Sequence, residues 1–249
     1  MMKKQTFYEY SRIIISLLIV TFTTSIFGFI SFISDAETTS KSTNDKIKDI
    51  TVIIDPGHGG EDGGAVGLCG TLEKDINLEI SLILHDLFTL VDIDAVMTRN
   101  TDNMLYTDVQ SGRKKFYDLK NRVDFVDKYS NPVFLSIHQN KFPIEKYKGL
   151  QVYYSKNDPS GKELAECIQY NTKKLLQNDN NRMIKEAGRN IFVLDKLECP
   201  AILIECGFLS NTQEEKNLNN YEYQKKIAYI IFTSVIEYLS NISINNQIS

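Results

Sequence analysis

The chain has 249 residues, enough for one domain of ordinary size and hardly enough for two. A formal net charge of -4 with no basic block argues against a nucleic-acid partner, and a 42% share of hydrophobic residues suits a packed core. The four cysteines, Cys69, Cys167, Cys199 and Cys206, show neither a C-x-x-C pair nor zinc-finger spacing, so most are expected to be free and buried.

The run from Ile13 to Ile33 carries no charge. It is long enough to span a bilayer and longer than a usual signal-peptide core. Lys3, Lys4 and Arg12 precede it, and Asp35 and Glu37 follow. The positive-inside bias then places the N-terminus in the cytoplasm and the rest outside. Residues 1–34 are expected to form a membrane anchor or signal segment, the anchor being favoured because no clear A-x-A site follows. Residues 35–48 are polar and read as a linker. The globular domain is expected over 49–240, with 241–249 fraying.

Within the domain, "ITVIID" (Ile50 to Asp55) reads as a buried strand. Glu73 to Leu90 carries Ile76, Ile80, Ile83, Leu84, Leu87 and Phe88 at helical spacing. "DAVMTR" is a strand, Leu119 to Tyr129 a short helix, and "PVFLSIH" and "LQVYY" are strands. Ser160 to Gln177 is a helix, "AILIECG" a buried strand, and Tyr221 to Leu239 a closing helix. This alternation predicts an α/β fold: a single domain with a mainly parallel twisted sheet flanked by helices.

Such sheets bind ligands beyond the C-terminal ends of their strands. Three strands here lead into chemistry-bearing residues at that edge: His58, His138 and Glu205. Each alone is ordinarily a hydrogen-bonded or solvated surface group. Three at one edge point to a site. Two histidines, a carboxylate and an open position form the donor set of a catalytic zinc centre. The glycines around His58, "VIIDPGHGGEDGGAVG", permit a sharp turn and close approach by a substrate. Asp55 is a candidate acceptor for the His58 ring; its ordinary role is a turn residue before Pro56. Spacing leaves the third ligand open. Glu61 makes an H-x-x-E pair with His58, whereas Glu73 opens a helix, where an acid is favoured with no metal at all. There is no H-E-x-x-H motif, and His85 sits inside a helix as a structural residue.

The segments "IIDPGHGGEDGGAVG", "LEKDINLEI", "FLSIHQN" and "ILIECGFLSN", in this order, resemble the zinc-dependent N-acetylmuramoyl-L-alanine amidases of the type-three family. The resemblance covers about residues 50 to 240. It implies that one zinc ion is held by His58, Glu73 and His138 at the C-terminal ends of the strands, that Glu205 is the catalytic residue, and that Glu61 is a loop acid. Glu205 would take a proton from water and pass it to the departing amine. Asn140 is a candidate for orienting substrate or a ligand, its ordinary role being a loop cap. Gln139 and Cys206 depart from the family pattern without removing a ligand.

Some family members insert a plugging helix between the last histidine and the catalytic glutamate; the visible elements leave no room for one here. The anchored architecture, "DLKNRVDFVD" and the lack of a wall-binding repeat resemble the germination-specific, CwlD-type amidases of spore formers. That resemblance implies removal of stem peptides from spore cortex peptidoglycan, a step toward muramic-δ-lactam. It also implies exposure outside the cytoplasmic membrane, with the forespore intermembrane space as the candidate compartment; a protein activator there is a further hypothesis, since restraint must come from elsewhere without a plugging helix. The rivals are a peptidoglycan carboxypeptidase using His58, Glu61 and His138, and a wall-binding protein with an inert site.

Overall fold

A computed structural model describes residues 49–248. The expected anchor (1–34) and linker (35–48) lie outside the described residues. Among the described residues no helix is long and apolar enough to cross a membrane.

The chain runs β1 (Thr51–Pro56), α1 (Glu73–Thr89), β2 (Ala95–Met97), a 3-10 turn (Asp108–Arg113), α2 (Lys114–Val126), β3 (Pro132–Asn140) and β4 (Gln151–Tyr154). It continues through α3 (Ser160–Leu175), β5 (Lys185–Glu186), α4 (Phe192–Lys196), β6 (Ala201–Phe208), α5 (Thr212–Leu218) and α6 (Tyr221–Ile248). The strands form one sheet in the order β2-β1-β3-β6-β4-β5. Strands β2, β1, β3 and β6 are mutually parallel; β4 runs antiparallel to β6, and β5 follows β4.

The central strands bury both faces, so they read as apolar runs rather than alternations. Val52, Ile54, Leu135, Ile137, Ile202 and Ile204 face one layer, where α1, α3 and α6 pack through Ile80, Leu84, Ile168, Ile231 and Val235. Ile53, Phe134, Ala201 and Leu203 face the other, covered by α2 and α4 through Val126, Val193 and Leu194. Helix α1 begins with Glu73 and Asp75 in its first turn, where acids complement the helix dipole.

Three features differ from the sequence reading. Helix α2 starts at Lys114, earlier than the apolar spacing indicated, because much of its first turn is solvent-exposed. Helix α6 runs to Ile248, past the Leu239 at which the sequence pattern closed it, with Ile242 packed against the core. The four cysteines are free, but only Cys206 is buried; Cys69 lies on an exposed loop.

Candidate metal and catalytic site

The site gathers where β1, β3 and β6 end. His58 sits on the loop after β1 with a left-handed backbone, φ 62°. His138 lies near the end of β3, and Glu205 is its direct partner on β6. Glu73 enters from the first turn of α1. Glu73 Oε2 lies 3.2 Å from His58 Nε2, and its Oε1 lies 2.9 Å from His138 Nδ1. The two imidazoles meet edge to face at 5.0 Å between centroids. One donor atom from each of His58, Glu73 and His138 falls within 4.8 Å of the others, a grouping that could hold a metal ion.

Glu73 is also anchored by the chain itself. Ala65 N–H donates to Oε2 at 2.7 Å, and Gln139 N–H donates to Oε1 at 3.0 Å. Burial opposes its ionised form, but hydrogen bonds and charge from His138 and His58 hold the carboxyl well below its usual range. For His58, burial disfavours the imidazolium, yet the carboxylates of Asp62 and Glu73 prevail and raise it to about 9. Such strongly coupled groups in a cleft are the electrostatic signature of a functional site.

The loop bearing His58 is clamped by two buried arginines. Arg99 Nε and Arg122 Nη1 both donate to the Pro56 carbonyl, at 3.0 and 2.9 Å. Arg99 Nη2 reaches the Gly57 carbonyl at 3.0 Å, joined by Asn77 Nδ2 at 3.1 Å. Arg122 Nη2 takes the His58 carbonyl at 2.7 Å. Arg122 is in turn neutralised by Asp55 and by Asp118 at 3.1 Å. Two glycines are there for room: a Cβ on Gly57 would collide with the His138 ring, and one on Gly64 with Glu73 and His58.

Asp55 does not touch His58. Its carboxylate accepts from Arg122, from Thr98 Oγ1 at 2.6 Å and from Ser136 Oγ at 2.7 Å. The acceptor for the His58 Nδ1 is Asp62, at 2.8 Å. Strand alternation explains the difference: Asp55 belongs to β1 and points into the layer beneath α2, whereas Asp62 returns on the same loop as His58. Glu61 is 68% exposed and pairs with Lys114 at 2.7 Å, away from the cluster. His85 lies on α1 beside Asp86, at 3.7 Å. Asn140 gives its backbone carbonyl to Leu209 N–H at 2.8 Å and has no side-chain hydrogen bond among the described residues.

Glu205 stands opposite His138 with its Oε2 buried and without a hydrogen-bond partner among the described residues. Burial first, then the negative charge of Glu73, push it up to about 8, against the opposing pull of His58 and Arg182. A cation held by the neighbouring histidines would draw it back down. A cavity of about 210 Å³ opens beside both histidines, lined also by Lys115, Leu119, Phe192 and Leu203. Sequence reading missed Asp62, Arg99, Arg122 and Asn77. An arginine inside the "DLKNRVDFVD" helix and one closing the "DAVMTR" strand were the available signals.

Two histidines at the C-terminal edge of an α/β sheet, a glutamate brought to them by α1 and a further carboxylate alongside form a donor set of the kind hydrolases use to hold a metal. Residues 52–237 match the Amidase_3 family, described as N-acetylmuramoyl-L-alanine amidase, and the chain belongs to that family. It is therefore an enzyme acting on peptidoglycan. The germination-specific N-acetylmuramoyl-L-alanine amidase of Bacillus subtilis is 34% identical over 191 residues, covering 76% of this chain and 79% of the relative. The CwlD amidase from Clostridioides difficile, solved in complex with the GerS lipoprotein, is 40% identical with a TM-score of 0.73, covering 76% of this chain and 98% of that one. The amidase AmiC2 of Nostoc punctiforme is 32% identical with a TM-score of 0.67, covering 77% and 97%.

Proposed function

We propose that this enzyme is a zinc-dependent amidase of the spore cortex. It hydrolyses the amide between the lactyl group of N-acetylmuramic acid and the L-alanine of the stem peptide. The freed muramic acid can then close to the muramic-δ-lactam needed for germination. The observation that carries this reading is the convergence of His58, Glu73 and His138 within 4.8 Å, beside Glu205.

The donor set fits zinc: two imidazoles and one carboxylate, with room left for a fourth ligand. When bound, the ion would polarise the scissile carbonyl and stabilise the charge developing on its oxygen. Asp62 fixes the His58 ring through Nδ1, leaving Nε2 for the metal. Glu205 acts as general base and then general acid. It takes a proton from the attacking water and delivers it to the alanine nitrogen as the C–N bond breaks, yielding a carboxylic acid and a free amine. Its place on a rigid strand keeps the carboxylate in register with His138. The pairing of Glu61 with Lys114 weighs against a carboxypeptidase that uses Glu61 as a ligand.

The same reading places the domain outside the cytoplasmic membrane, tethered by the uncharged run from Ile13 to Ile33. The complex of the C. difficile enzyme with the GerS lipoprotein supports a protein partner for this chain as well; this reading casts that partner as an activator that stabilises the zinc-loaded form. Incubating the full chain with cortex glycan and zinc, then weighing the fragments, tests the function. Free stem peptides beginning with L-alanine support it. Release of single C-terminal residues refutes it, as does release of nothing by a chain that metal analysis shows to hold zinc.

A further inference from the structure

Arg182 precedes β5 and is half-buried at the catalytic edge of the sheet. Its guanidinium is held rigidly. Nε donates to the Lys148 carbonyl at 2.9 Å, and Nη1 donates to Gln151 Oε1 at 2.6 Å. The plane lies over the Phe208 ring, 4.4 Å from its centroid, with Tyr147 at 6.0 Å. Gln151 is the direct cross-strand partner of Glu205, so the guanidinium, though carried by the segment leading into β5, is tied to the strand beside the catalytic carboxylate. Its charge is felt at Glu205, Glu214 and Tyr153.

For all this fixation, Arg182 makes no salt bridge with any described carboxylate, and Nη2 has no hydrogen-bond partner among the described residues. A guanidinium used only to tie a loop would be expected to pair with one of the two carboxylates that feel its charge, Glu205 and Glu214. One that is immobilised, stacked and left with a free edge is pre-organised for an anion from outside. Paired strands sit about 4.8 Å apart, and an extended peptide advances about 3.3–3.6 Å per residue. With Gln151 between the guanidinium and Glu205, an anion at Arg182 lies more than one strand spacing from Glu205, roughly the reach of two extended residues.

We propose that Arg182 is a substrate-recognition residue that binds the α-carboxylate of the second stem-peptide residue, on the leaving side of the scissile amide. The inference rests on the amidase reading of the site. Held there, the peptide is oriented with its alanine nitrogen toward Glu205.

The test compares two muramyl peptides, one with a free α-carboxylate at the second position and one with a carboxamide there, using the full zinc-loaded chain. Wild-type enzyme should favour the carboxylate by about 10- to 100-fold in kcat/KM, the range of a charge-assisted hydrogen-bonded contact. In Arg182→Gln the ratio between the substrates should collapse to about one. Should that variant fold poorly, Arg182→Lys, which keeps the charge but loses the planar fork, takes its place and should narrow the ratio; a ratio unchanged from wild type in a folded variant overturns the inference. Cleavage of both substrates without discrimination overturns the inference and leaves the amidase reading intact. Cleavage of neither sinks that reading and the inference with it.

Discussion

Arg122 Nη2 donates to the carbonyl of His58 at 2.7 Å, and His58 holds a left-handed backbone with φ 62°. A non-glycine residue in that region costs roughly 1–2 kcal/mol, so its neighbours must impose it. Arg122 does so while buried at 2% exposure and neutralised by Asp55 and Asp118. Arg122→Met should lower stability by about 3–5 kcal/mol, because Asp55 and Asp118 remain buried without their partner. It should also reduce zinc occupancy by freeing His58. Denaturant unfolding and metal analysis of the same preparation check both effects.

Ligand assignment separates two glutamates. Glu73→Ala should weaken zinc binding by at least ~10–100-fold, the cost usually seen for groups that merely support a ligand. Glu61→Ala should leave occupancy near normal, since it removes only an exposed pair with Lys114. Equilibrium dialysis against a zinc buffer measures the two; the reverse ranking would restore the carboxypeptidase alternative.

Glu205→Gln should keep fold and zinc but lose about 10²–10⁴ in rate, the usual share of general acid–base catalysis. Zinc content, melting temperature and amidase turnover on that one variant distinguish three roles. A base loses rate alone, a ligand loses zinc, and a structural acid loses stability.

Gly57→Ala tests the close approach of β1's loop to His138. The added methyl would collide with the imidazole, so the ring must move off the metal position. Zinc affinity should fall while the melting temperature of the metal-free protein changes by far less than in Arg122→Met. Unchanged affinity would show that the ring has slack.

Asp55 gives a pH dependence with a defined sign. Burial opposes its charge, but Arg122 and the hydroxyls of Thr98 and Ser136 hold its carboxyl below the ordinary range. A carboxylate with a depressed folded pKa adds stability that is complete above its unfolded value of about 3.9. That stability is lost as pH falls through the folded value. The stability gap between wild type and Asp55→Asn should therefore be large at neutral pH and shrink below about pH 4. Unfolding in chelator at each pH keeps metal loss out of the comparison.

The sheet was legible because its central strands, "VIID", "VFLSIH" and "AILIE", bury both faces and so stand out as apolar runs. The short pieces were not. Strand β5 is two exposed residues and α4 a five-residue turn, neither long enough to show a period. The convergence of His58, His138 and Glu205 could be inferred from strand ends, but spacing alone did not choose between Glu61 and Glu73. The clamp was hidden for a physical reason. Arg99 and Arg122 read as surface charges until the fold supplies carbonyls and carboxylates around them. Asp62 was passed over for Asp55 because a strand-end acid looks better placed than one four residues along a glycine-rich turn.

The reversed direction of β4 and β5 carries a consequence for how such an enzyme diversifies. In the parallel half of the sheet, the edge bearing the site is reached by segments leaving β1, β3 and β6, which on the proposed function carry the metal ligands and the base. In the reversed half, that edge is reached by segments arriving at β4 and β5, which include Tyr147 and Arg182. On that reading, chemistry and selectivity fall to the parallel and the reversed parts of one sheet. A lineage can lengthen or recharge the stretches before Gln151 and Lys185, and so retarget the enzyme to a differently decorated wall, without disturbing a single residue that breaks the bond.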